Sequence, residues 1–155
     1  MKTFLVLSDT HGRRSALLKI SALVGENDYI IHLGDGAGDM RSIRAEFPEK
    51  TVVLKGNCDF SYGDEERILE VEGIKLLCCH GHRYGVKSGL KRLAARAKQA
   101  GCAVALYGHT HRANIEELDG VMCINPGAMG DFVDPSYCYL VLHAGKATPT
   151  IVSMV

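Results

Sequence analysis

The chain is 155 residues long, and its 18 basic and 18 acidic side chains balance to a formal charge of +0. That size suits one domain, residues 1–155, able to bury about 68–70% of its unfolded surface, and the balanced charge supplies no field drawing the molecule to nucleic acid or membrane. No stretch nears the ~20 apolar residues that span a bilayer, and Phe4-Leu5-Val6-Leu7 is cut short by Asp9 before it can serve as a signal-peptide core, so a soluble cytoplasmic protein is expected.

Residues 3–8 are apolar and β-branched without alternation, which suits a strand covered on both faces. Leu17, Leu18, Ile20, Leu23 and Val24 then recur at helical spacing and predict a helix over 13–24. Strands follow at 29–33 and 51–54, with a short helix over 40–47 between them. This β-α-β-α-β order argues for parallel strands joined by right-handed crossovers.

The remainder is mixed. Residues 68–72 and 74–79 flank a Glu-Gly turn and read as a hairpin, 89–100 has the Leu and Ala spacing of an amphipathic helix, and 104–107 is strand-like. Asp119-Gly120 joins strands 113–118 and 121–124, and runs at 137–142 and 150–155 close the chain around Ala144-Gly145-Lys146. The expected class is α/β, two sheets with helices outside. Six cysteines without any CxxC pair are expected to be reduced, most of them small hydrophobes in strands, with Cys58 the exception.

Polar blocks stand directly after several apolar runs: Asp9-Thr10-His11, Gly34-Asp35, Gly56-Asn57-Cys58-Asp59, Cys79-His80-Gly81-His82 and Gly108-His109-Thr110-His111. Strand ends in open sheets are where ligands collect, and Asp, Asn and His are donors for divalent metals. Each block alone has a plainer reading, since Asp9 or His11 can cap a helix near Arg13 and Gly34-Asp35 is ordinary turn chemistry. The ordered set is what points to a metal centre.

That order, D-x-H, G-D, G-N-x-D, H and G-H-x-H, resembles the calcineurin-like metallophosphoesterase superfamily, and most of all its small single-domain bacterial and archaeal phosphodiesterases. The likeness covers nearly the whole chain, and Asn125-Pro126-Gly127 resembles a loop near the family's site. It implies an αββα sandwich holding two divalent metal ions, of Mn, Ni, Zn or Fe, with Mn favoured. One ion would be held by Asp9, His11, Asp35 and His111, and the second by Asp35, Asn57, His80 and His109, with Asp35 bridging. Mixed nitrogen and oxygen donors suit such ions, and cations about 3.5–4 Å apart lower the pKa of a water between them. The implied reaction is in-line attack of a metal-bridging hydroxide on a small phosphodiester.

Asn57, Cys58, Asp59 and His82 are the further catalytic candidates. Many superfamily members carry His where this chain has Cys58, and the small phosphodiesterases tend to have Cys there. A thiol of reference pKa about 8.5 is a doubtful general acid beside two cations, and an apolar space-filling role is equally open. Asp59 then has His80 or a metal-bound water as its expected partner. His82 is read as a loop His bonded to backbone, or as a group behind the ligands or on the substrate phosphate. His32 and His143 are read as packed or edge residues, and Arg13 follows the first motif closely enough to reach phosphate. Selectivity is expected in loops 60–65, 83–88 and 128–136.

The competing class is a non-catalytic scaffold of the same fold, the role of a eukaryotic trafficking subunit with a degraded metal site. Every expected ligand position here is metal-competent, which argues for the enzyme. A nuclease would want a basic channel, so no nucleic-acid partner is expected and no membrane partner either. Apolar residues in the later hairpins are compatible with a homodimer or homotetramer.

Overall fold

The structure is a computed structural model describing residues 1–155. Two five-stranded sheets pack face to face. The first has the order β10-β9-β1-β2-β3, from β1 (Lys2–Leu7), β2 (Tyr29–His32), β3 (Thr51–Val53), β9 (Ser136–His143) and β10 (Lys146–Ser153). The second has the order β4-β5-β6-β8-β7, from β4 (Glu66–Val71), β5 (Ile74–Cys79), β6 (Val104–Leu106), β7 (Asn114–Leu118) and β8 (Val121–Asn125). Each sheet has three parallel strands, β1-β2-β3 in one and β5-β6-β8 in the other, with antiparallel strands added outside them. The expected αββα sandwich is the observed one.

Burial on both faces explains the unbroken apolar runs. Along β1, Phe4 and Val6 enter the core between the sheets, where they meet Leu76, Cys78, Leu106 and Ile124. Leu5 and Leu7, pointing the other way, pack under α1 (Arg14–Leu18) and α2 (Ser21–Glu26) with Leu17, Ile20 and Val24. On the far side, Leu93, Ala94 and Ala97 of α4 (Lys91–Gln99) cover Leu77, Cys79 and Ala105. Full burial of each large aliphatic chain contributes about 1.5–3 kcal/mol. Five cysteines lie buried in these layers, and Cys58 alone is exposed; all are free thiols. No helix is long and apolar enough to cross a membrane.

The predicted helix over 13–24 is two helices. Ile20 leaves the α region at φ −108°, ψ 9°, and the reorientation keeps Leu17, Ile20 and Val24 all on the sheet. Neither piece has a side-chain N-cap, so packing rather than local propensity holds them. The last strand begins at Lys146 rather than at 150, because Ala144 and Gly145, both at positive φ, form a tight hairpin turn that pairs Lys146 with His143. Pro149 is tolerated there since β10 is an edge. The helix at 40–47 is a 3₁₀ turn, Ala37–Met40, running into α3 (Arg41–Glu46).

Candidate metal centre

The carboxyl ends of the parallel strands of both sheets meet at one edge of the sandwich, and backbone bonds tie them. Asp9 and His11 N–H groups donate to the carbonyls of Gly34 and Asp35, and Gly108 N–H donates to His80. Approach this close requires glycine. A Cβ on Gly34, whose φ is +111°, would stand 2.6 Å from Gly56 N and 3.0 Å from His80 Nδ1; one on Gly108 would stand 2.8 Å from Asp9 Oδ2.

Asp9, His11, Asp35, His109 and His111 all have φ between 46° and 71°. The other non-glycine residues at positive φ, Glu72, Asp119 and Ala144, are in hairpin turns. Left-handed backbone is strained for these side chains, and such strain concentrates where chemistry requires a fixed geometry. Here it turns successive side chains inward from one strand end.

Of the three sets of donor atoms that result, two are built of Asp and His alone, Asp9 with His11 and His111, and Asp35 with His80 and His109. Asp9 is fully buried. Its Oδ2 accepts from Ser8 Oγ at 2.5 Å and from His109 N–H at 3.1 Å, while Oδ1 has no hydrogen-bond partner and stands 3.1 Å from His111 Nε2 and 3.3 Å from His11 Nε2. Asp35 is built the same way: Oδ1 accepts from Cys58 N–H at 2.8 Å, and Oδ2 lies 3.2 Å from His80 Nε2 and 3.9 Å from His11 Nε2. One oxygen of each carboxylate is held by the protein and the other faces the centre.

His80 is oriented likewise. Nδ1–H donates to the Leu33 carbonyl at 3.0 Å, which leaves the Nε2 lone pair buried and without a partner. Burial disfavours charge on this ring, yet the Asp35 and Asp9 carboxylates outweigh it and raise the His80 pKa. Burial alone would raise Asp35, but His80 and the Cys58 N–H pull it well below the ordinary carboxylate range. Burial, then His80, lowers His109 and favours its neutral, donor form. Buried donor atoms without a partner, Asp9 Oδ1 and His80 Nε2, are costly unless a cation meets them, and this carboxylate and imidazole set fits the two divalent ions that the motifs imply.

The remaining candidates divide. Asn57 and Cys58 are exposed, with Asn57 Nδ2 3.5 Å from Cys58 Sγ. Cys58 Sγ forms the third set, within 4.8 Å of donor atoms of His11 and Asp35. Burial and then the Asp35 carboxylate raise its thiol pKa. Asp59 makes no hydrogen bond to His80, one of its two expected partners. Its carboxylate accepts N–H bonds from Asp35 (2.8 Å), Gly36 (3.0 Å), Ala37 (3.1 Å) and Gly56 (2.8 Å), and so shapes the loop that carries Asp35. His82 does not bond backbone through Nδ1, which is buried and unpartnered, and its ring centroid lies 5.5 Å from His80 and 6.1 Å from His109.

His32 is more than a packed residue. Nδ1 accepts from Gly34 N–H at 3.1 Å, so Nε2 carries the proton and donates to Thr10 Oγ1 at 2.9 Å; Thr10 in turn donates to Asp39 at 2.7 Å. Complete burial holds the His32 pKa down to about 4. Asn125, also fully buried, donates to the Gly108 carbonyl and to Thr110 Oγ1, fixing the loop of His109 and His111. His143 is exposed at the end of β9, an inner strand of its sheet, and so is neither packed nor on an edge strand. The Arg13 guanidinium lies 4.4 Å over the Phe132 ring and donates to the Asp131 carbonyl.

Residues 1–147 match the calcineurin-like phosphoesterase superfamily domain. The probable metallophosphoesterase YsnB of Bacillus subtilis is 38% identical over 128 residues, 81% of this chain and 73% of that protein. Phosphodiesterase MJ0936 of Methanocaldococcus jannaschii is 27% identical over 146 residues, covering 79% and 81%. Wild-type Vps29 from Entamoeba histolytica, solved in complex with zinc, shares the fold at a TM-score of 0.73 and 21% identity, over 97% of this chain and 98% of that one.

Proposed function

The chain belongs to the calcineurin-like phosphoesterase superfamily, and from that premise we propose that it is a two-metal phosphodiesterase acting on small phosphate diesters. The observation that carries this reading is the pair of donor sets converging on the inward oxygens of Asp9 and Asp35, with Asp9 Oδ1 and His80 Nε2 buried and unpartnered. Asp9, His11, Asp35 and His111 would hold one divalent ion, and Asp35, Asn57, His80 and His109 the other. Asp35 Oδ2, between His80 and His11, suits the bridge. Manganese is the first choice. When bound, the ions supply a nucleophile from water at neutral pH and neutralise charge on the phosphoryl oxygens.

The protein's share is orientation. Ser8, Asp59, Leu33 and Asn125 hold the ligand-bearing groups so that the inward atoms need not rearrange. His11, Asn57, Cys58 and His111 are exposed, so both ester arms of a diester find open surface. The name of the archaeal relative, a phosphodiesterase, supports diesters over monoesters. The competing scaffold reading gains nothing from the centre, where every expected donor is Asp, Asn or His.

Purified protein assayed on bis(p-nitrophenyl) phosphate and on p-nitrophenyl phosphate, after chelation and again with Mn²⁺, Ni²⁺ or Zn²⁺ restored, tests the proposal. Faster metal-dependent cleavage of the diester is expected, and abolished in Asp35→Asn and His80→Ala proteins that stay folded. Activity that survives either substitution, or that never depends on metal, overturns it.

A further inference from the structure

A cleft of about 410 Å³ lies between α3 and residues 53–63, lined by Arg41, Arg44, Lys55 and Tyr62 and by no acidic residue. In a chain of zero formal charge this is a local excess of three cations. Other arginines, Arg14, Arg67, Arg83 and Arg96, find carboxylates, whereas the side chains of Arg41, Arg44 and Lys55 make no ion pair or hydrogen bond. Arg41 and Arg44 sit at i and i+3 of one helix, a like-charge spacing that costs helix stability. Arg44 stands in the last turn, where the helix C-terminus offsets part of that cost.

Both walls of the cleft run out of the ligand-bearing loops. Ala37, on one wall, is two residues past Asp35, and Lys55, on the other, is two residues before Asn57. At most ~3.6 Å per residue, each lies within about 7 Å of an expected ligand's backbone. Asp59 ties the walls together through its bonds to Gly36, Ala37 and Gly56.

We propose that this cleft is a subsite for a second phosphate group of the substrate, so that the preferred diesters carry an additional terminal phosphate. The inference rests on the phosphodiesterase reading. Two guanidinium forks and an ammonium match the oxygens of a phosphate, and Tyr62 offers a ring beside them for a flat group of the same substrate. The cationic patch is too confined to track a polymer.

The test compares thymidine 5′-(p-nitrophenyl phosphate) with the same ester bearing a 3′-phosphate, using the manganese-loaded protein. The 3′-phosphate is expected to lower KM about tenfold. The Arg41→Ala/Arg44→Ala double variant makes the two KM values equal, while Lys98→Ala, which removes a cation from α4, preserves the difference. Equal KM values in the wild type, or a double variant that raises both KM values in parallel, overturn the subsite. If neither ester is cleaved, the phosphodiesterase reading fails, and calorimetric titration with thymidine 3′,5′-bisphosphate still reads the cleft: affinity must drop about tenfold in the double variant, and an unchanged affinity overturns the subsite. Affinity that keeps climbing with oligonucleotide length overturns the small-molecule assignment.

Discussion

Thr10 Oγ1 accepts a hydrogen bond from His32 Nε2 at 2.9 Å, so the one residue between Asp9 and His11 is anchored to a ring buried at the end of β2. The Gly34 N–H on Nδ1 selects the tautomer that can make this bond. The pair orients the first donor set without facing it.

Acid should expose this arrangement. The His32 pKa, about 4 in the folded protein, lies below its ordinary 6.5, so the unfolded chain takes up the proton first. The stability from keeping the ring neutral is complete above pH 6.5 and is lost as pH falls from there to about 4, a change of about 3 kcal/mol. Burial is the main cause; Asp9, Asp59 and Asp39 oppose it, and His80 adds to it. Urea unfolding at pH 7.5 and pH 4.5 should show a markedly smaller loss in His32→Gln than in the wild type. Parallel losses would refute the assignment.

Asp59 predicts a separation of stability from chemistry. In Asp59→Ala four backbone N–H groups lose their acceptor. Because the site is only half-buried, water recovers part of that, leaving a cost of about 2–3 kcal/mol. Denaturant titration measures it, and metal affinity should fall in the same variant through disorder at Asp35. A variant as stable as the wild type would show that the four bonds contribute nothing net.

Metal loading should raise the melting temperature. At a free ion concentration one hundred times Kd, binding to the folded state adds ~2.7 kcal/mol. Mn²⁺ added to chelated wild type is therefore expected to shift thermal unfolding upward by several degrees, and His80→Ala should respond far less. A shift of equal size in both proteins would place binding elsewhere.

Cys58 bears on the leaving group. Aryl oxides depart without a proton, whereas alkoxides need one, and the Cys58 thiol is a poor counterpart of an imidazolium. Turnover should be higher on aryl diesters than on dialkyl diesters, and Cys58→His should narrow the gap. Equal rates on both from the wild type would remove the thiol from the account.

The inward-facing donors were legible because each follows an apolar run, and a side chain at the carboxyl end of a parallel strand has few places to point. The hairpins were legible for a similarly local reason: Glu72-Gly73 and Asp119-Gly120 supply the positive φ that a tight turn needs. The part played by His32 was not, and Asp59 and Asn125 were legible as neighbours of the site but not for the bonds they make. A carboxylate that gathers backbone amides from another loop leaves no mark in spacing, and a histidine inside an apolar run looks like any packed ring. The break at Ile20 escaped because helical spacing continues across it, and only the sheet beneath shows why the chain turns.

Asp9, His11 and Asp35 come from the sheet of β1–β3, and His80, His109 and His111 from the other, so each of the two Asp and His sets draws on both halves of the sandwich. A cation in either set is thus a rivet through the seam. Its loss would be felt first as breathing of the two leaves along that edge, with faster proteolytic nicking of the segment that crosses from one leaf to the other.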